Sequence, residues 1–148
     1  MFYDVLMYHT VKDIFMKKKI GIFLFLPVLA FSGLNMREVN DVLLSIHASK
    51  ELKYYTFKLN SVMDEKIKFT SIDNADILLF PEKTFSKKII IVSSYQELNK
   101  NTNSIGAIYL KKNRTQIIFI KERLKNKGLS LPKKFNKYIV SSSLLNSK

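Results

Sequence analysis

Two short runs without a polar residue, "ILLF" at 77–80 and "IIIV" at 89–92, constrain the fold of this chain more than any other feature. Each is too short for a buried helix and is bounded by polar or proline punctuation: Asp73 and Asp76 before the first, Pro81 after it, Lys87 and Lys88 before the second. A strand that is apolar at every position must be covered on both faces, which is the situation of a central strand in a layered α/β fold. The expected class is therefore α/β: a single layered domain with a mixed sheet flanked by short helices, after an N-terminal signal peptide. "KIKFTSI" at 66–72 alternates at period two and reads as a further strand.

Helical and turn signals fill in the rest. In "MREVNDVLLSIHASKEL", Val39, Val42, Leu43 and Ile46 fall at i, i+3, i+4 and i+7, one apolar helical stripe with His47 on its flank. The segment "KYYTFKLNSVMDEK" reads as strand over 54–59 or as mixed structure, the other reading being a continuation of the helix through Val62. Ser94 followed by Glu97 is a capping box that starts a short helix through Leu98. After the polar loop "NKNTNS", two apolar runs around Lys112, Asn113 and Arg114 predict a hairpin whose Asn takes the left-handed turn conformation. "KERLKNKG" predicts a short helix stopped by Gly128, Pro132 opens a last helical turn, and the Ser-rich tail from 141 is expected to fray.

A different signal lies upstream, in "FMKKKIGIFLFLPVLAFSG". Lys17, Lys18 and Lys19 form a positive segment, 20–31 an apolar core, and Ala30 and Ser32 the small residues of a cleavage site between Ser32 and Gly33. The run is shorter than the about 17–25 apolar residues that span a bilayer, so it is expected to be a cleaved secretory signal, the other reading being an uncleaved anchor or a buried helix. Since Met16 directly precedes the lysines, translation is expected to start there, with residues 1–15 not made. The domain then comprises 33–140 and works outside the cytoplasm, in the periplasm.

The composition excludes several functions. The formal net charge is +13, yet of 25 basic residues only Arg37, Arg114 and Arg123 carry the guanidinium fork that phosphate and base-edge recognition favours. Nucleic acid is therefore not the expected partner. There is no cysteine, and histidine is confined to His9 and His47, which rules out thiolate chemistry and a zinc centre of the usual ligands within one chain. Asp73, Asp76 and Glu82 lack the alternation and glycine of a calcium loop and read as solvated loop residues. Ser93 and Ser94 stand between a strand and a helix, but without flanking glycines or a downstream His they cap a helix and do not form a nucleophile elbow. No acid, base and nucleophile constellation emerges, so the chain reads as a non-enzyme without cofactor.

What remains is surface. Tyr54, Tyr55 and Phe57 form an aromatic cluster that reads first as core and second as a stacking platform in a small solute-binding module. Lys111, Lys112 and Arg114, then Lys121, Arg123, Lys125 and Lys127, then Lys133, Lys134 and Lys137 are cationic clusters. The residues 121–127 wrap around a helix axis and read as a solvated helix. Together the clusters imply only weak attraction to an anionic membrane surface.

From Ala75 to Tyr138 the chain resembles the later part of the YfiR-like family of exported bacterial proteins. "ADILLF" is similar to one family strand, "KKIIIVSSYQEL" to a strand running into a short helix, and "IGAIYLKKNRTQIIFIKERLKNKGLSL" to its Gly-led hairpin, its "F-x-I" strand and its closing helix. The resemblance rests on hydrophobic spacing with Gly106, Phe119 and Gly128. It implies a periplasmic α/β domain, a homodimer, that binds and restrains a membrane-embedded signalling enzyme such as a diguanylate cyclase.

Overall fold

A computed structural model describes residues 33–58, 63–83 and 85–145. The expected start at Met16 and the signal peptide through Ser32 lie outside the described residues; Gly33, the first described, is exposed.

Helix α1, Met36–Leu44, starts where Asn35 accepts a hydrogen bond from the Glu38 N–H at 3.3 Å, and it buries Val39, Val42 and Leu43. It ends earlier than the apolar periodicity predicts. Ser45 turns its hydroxyl onto the Asp41 carbonyl at 2.7 Å, and His47 exchanges backbone hydrogen bonds with Ser130 at 2.9 and 3.0 Å. That bridge engages the backbone groups a longer helix would need, while Ile46 still reaches the same core.

Six strands follow: β1 (Tyr54–Thr56), β2 (Ile77–Leu79), β3 (Ile89–Val92), β4 (Ser104–Lys111), β5 (Arg114–Ile120) and β6 (Ile139–Val140). They form one mixed sheet in the order of the sequence, parallel from β1 to β4, antiparallel between β4 and β5, and parallel again between β5 and β6. The fold is thus the α/β class expected, and both apolar runs are central strands buried on both faces.

The alternating segment at 66–72 is not a strand. Turns fix both its ends, with the Ile67 N–H on the Asp64 carbonyl and the Asn74 and Ala75 N–H groups on the Ser71 carbonyl. Only Lys68 and Thr70 remain to bond the outer edge of β1, so a single bridge forms between Tyr54 and Phe69. Alternation is kept in sequence but not in burial: Ile67 is buried, whereas Phe69 is 42% exposed. β1 itself is shorter than the expected 54–59.

Between β3 and β4 the register shifts from Ile90↔Ser104 to Ile91↔Gly106, so Ile105 is an extra residue, a β-bulge. From there the two faces separate cleanly. Tyr54, Ile77, Leu79, Ile91, Ile108, Ile117 and Phe119 pack against α1, against Leu124 of helix α3 (Lys121–Asn126) and against Phe135 of the 3₁₀ segment Lys133–Tyr138. On the other face Ile90, Val92, Ala107 and Ile120 meet Leu98 of helix α2 (Tyr95–Lys100) and Leu145.

The Ser94 half of the capping box is formed, with Ser94 Oγ accepting from the Glu97 N–H at 3.1 Å; the return bond is displaced by one residue, Glu97 accepting from the Ser93 N–H at 3.1 Å. At the hairpin both Lys112 and Asn113 have positive φ, 50° and 58°, the pair that a two-residue I′ turn requires. Gly128, at φ 66°, ends the turn after α3, and the Leu129 N–H closes back on the Leu124 carbonyl. The tail does not fray through 141–145. Ser142–Leu145 is a 3₁₀ turn that buries Leu145, and Glu122 caps it by accepting from the Ser142 N–H at 2.8 Å and the Ser141 hydroxyl at 2.9 Å. These bonds hold the Glu122 carboxyl below the usual range.

Candidate interaction surface at the strand ends

β1, β2 and β3 stop at about the same level, each for a local reason. Thr56 turns its hydroxyl to the Lys58 carbonyl, Phe80 takes a left-handed φ of 55° with its N–H on the Ile91 carbonyl, and Ser93 and Ser94 commit to the cap of α2. A bulky residue in the left-handed region is strained, and here it turns the chain out of the sheet directly after Leu79. β4 continues past Ala107, the partner of Val92, through Lys111. The overhang is about 13 Å long at the usual strand rise.

The tight turn fixes which backbone groups of the overhang are used. Lys111 and Arg114 flank a two-residue loop and form a hydrogen-bonded pair, so Tyr109 pairs likewise with Gln116, while Ile108 and Leu110 turn their N–H and C=O groups away from β5. At Ile108 the neighbour on that side is the end of β3. At Leu110 there is no strand among the described residues. The step holds a cavity of about 180 Å³ lined by Leu34, Lys58, Phe80, Ser93, Ile108, Tyr109 and Leu110. Leu110 is 41% exposed. The Asn35 N–H donates to Thr115 Oγ1 at 2.6 Å, which ties the start of α1 to the hairpin beside it.

The cations Lys58, Lys111, Lys112 and Arg114 around this step are all exposed, and none makes an ion pair among the described residues. The sequence reading singled out the last three of them. Lys58 it passed over, because nothing in the sequence brings 58 to the end of the hairpin.

Tyr54 and Tyr55 do not line one pocket. As neighbours on a strand they point to opposite faces: Tyr54 is buried in the α1-side core and its hydroxyl donates to the Leu43 carbonyl at 2.9 Å. Burial, reinforced by the Asp76 charge, pushes that hydroxyl well up. Tyr55 is half-buried on the other face, edge-on to Phe57 at 5.0 Å, and Phe57 continues to Phe85 at 5.7 Å.

The acidic residues are dispersed. Asp76 pairs with Lys50 and accepts from the Lys53 N–H at 3.0 Å; burial pushes its carboxyl up, but these bonds and the two lysine charges outweigh it and hold it low. Asp73 contributes only its carbonyl, to Lys88. Glu82 lines a groove of about 370 Å³ of mixed polar and apolar lining, with Lys83, Val92, Glu97, Lys100 and Asn101. No group of three metal-ligating side chains gathers among the described residues.

Arg123 departs from the solvated role read for 121–127. Its Nη1 donates to the Leu98, Asn101 and Ser104 carbonyls at 2.9, 3.0 and 2.9 Å, tying the end of α2 and the start of β4 to α3. Burial holds its pKa below the ordinary value. Its being one of three arginines among lysines was the only hint in the sequence. The other helical cations remain outside: Lys121 and Lys125 are exposed, while Lys134 and Lys137 lie over the rings of Phe135 and Tyr138 at 4.7 and 4.6 Å.

Against known proteins, no family model matches the chain, no curated protein matches it, and no solved structure matches it.

Proposed function

We propose that this protein is an exported, non-catalytic regulator that acts in the periplasm by binding a membrane-embedded signalling enzyme, such as a diguanylate cyclase. The observation that carries this reading is the behaviour of the three residues behind the YfiR-like resemblance. Gly106 lies under the Phe119 ring with no room for a side chain, and Gly128 has a left-handed backbone, which glycine adopts without strain, so both glycines have a physical reason for their place. The segments around them form β2, β3 with α2, and the β4–β5 hairpin with α3. Dimerisation of the domain belongs to the same reading, and the cations at the hairpin add weak attraction to anionic lipid, about 1 kcal/mol each near the surface.

The test is co-purification from detergent-solubilised membranes. Recovery with an integral membrane enzyme supports the reading, and recovery as free protein alone opposes it. N-terminal sequencing of the exported form tests the leader; a product retaining Phe2 or Tyr3 excludes a start at Met16. The groove beside α2 favours a second reading, a small periplasmic solute-binding module. Thermal shift with small anionic or aromatic ligands separates the two, since a ligand at 100 times its Kd adds about 2.7 kcal/mol of stability.

A further inference from the structure

We infer that the overhang of β4 is a docking edge for an extended acidic peptide segment of another protein, which adds as a strand beside Leu110 and places an apolar side chain in the adjoining cavity. The inference rests on the reading of the chain as a binding protein, not on its compartment.

Three features meet at this place. The first is the backbone of Leu110, whose N–H and C=O face away from β5 and beyond the last residue of β3, so a strand there finds a donor and an acceptor already aligned. The second is the cavity, whose walls include Leu34, Phe80, Ile108 and the 41% exposed Leu110. It accepts an apolar side chain from an incoming strand, and a strand projects alternate side chains to each face. The third is charge: Lys58, Lys111, Lys112 and Arg114 surround the edge without acidic partners among the described residues. Carboxylates flanking the apolar residue of the incoming segment complement them.

The same features argue against other occupants. A phosphate or lipid headgroup satisfies the cations but leaves the strand edge and the apolar cavity unused. A second copy pairing through the same edge crowds Lys58, Lys111, Lys112 and Arg114 of both chains around one short overhang, and the summed like charge opposes that approach. Lysines on an exposed edge are also a common guard against indiscriminate strand pairing. Here they select the partner, rejecting neutral and basic strands and admitting acidic ones.

The experiment is selection of a random heptapeptide library displayed on phage against the purified protein, followed by fluorescence anisotropy with the enriched peptides. Enrichment of Asp or Glu around a central apolar residue is expected. N-methylation of the peptide backbone at that residue should weaken binding about three- to ten-fold, the worth of one net hydrogen bond. Leu110→Pro should weaken it similarly while leaving the hairpin intact, because the Leu110 N–H is not used by β5. Lys111→Glu with Lys112→Glu should weaken it and flatten its salt dependence. The N-methylated peptide needs no protein variant, so a folding defect cannot mask the answer. Failure to enrich any peptide, enrichment of basic peptides, or equal affinity for the N-methylated form overturns the inference. Membrane co-purification is scored separately, so either result can fail without the other.

Discussion

A β-carbon on Gly106 would stand 2.7 Å from Cδ1 of Phe119, its partner across β4 and β5, and 2.5 Å from the Ile118 carbonyl oxygen. The first neighbour is a ring that has little freedom in a filled core, and the second is backbone. Gly106→Ala should therefore destabilise the domain by about 2–3 kcal/mol, as overpacking of a close-packed core does. Adding Phe119→Leu should recover only part of the loss, because the carbonyl stays in place. Urea denaturation of the two variants measures this; an unchanged midpoint for Gly106→Ala would contradict the packing described.

Arg123→Met should cost about 2–3 kcal/mol, since three part-buried carbonyls lose a charged donor at once. Arg123→Lys should retain part of that, an ammonium being able to serve some of the same oxygens. Hydrogen exchange gives the location: amides at the end of α2 and the start of β4 should exchange faster in Arg123→Met, with β1 and β2 less affected.

The Lys50–Asp76 pair gives a pH dependence of definite sign. Asp76 has a folded pKa below its unfolded value near 3.9. Its contribution is complete above the unfolded value and is lost as pH falls through the folded one. Between pH 5 and about pH 3 the wild-type protein should therefore lose more stability than Asp76→Asn, with the two curves converging at the acid end. Equal slopes in denaturant titrations across that range would remove Asp76 from the acid response.

Leu145→Ala should destabilise by about 2 kcal/mol, the low end for a buried leucine because it sits in a short 3₁₀ turn that can settle into the vacated space. Glu122→Gln should cost less and should selectively expose the Ser142 amide to exchange. If both variants match wild type, the last turn is not part of the cooperative unit.

How much of this was legible from residues alone follows a physical division. The runs at 77–80 and 89–92, the helix cap at Ser94, the turn at Asn113 and the stop at Gly128 are local chemistry, and each appears where the sequence places it. The errors arose where distant backbone decides. The apolar stripe from Val39 to Ile46 continues past the end of α1 because the His47–Ser130 bridge, a partner 83 positions away, ends the helix. The alternation at 66–72 promises a strand but finds only Tyr54 to pair with. For the candidate edge, the lysines were visible, yet the step beside Leu110 depends on where three other strands stop. One of those stops is made by Phe80 in a backbone conformation that no sequence rule assigns to phenylalanine.

The sheet order repeats the chain order from β1 to β6, and this has a consequence for assembly. A polypeptide delivered from its N-terminal end, from a ribosome or through a translocation pore, lays each strand against an edge that already exists and never has to insert one between two others. Such nearest-neighbour growth confines each closure to one crossover, although the parallel pairs still need connections far longer than a hairpin turn. It also leaves one growing edge open at every intermediate stage, a template for mispairing. In the finished domain that edge is β6, only two residues long, so the hazard narrows as the last strand arrives.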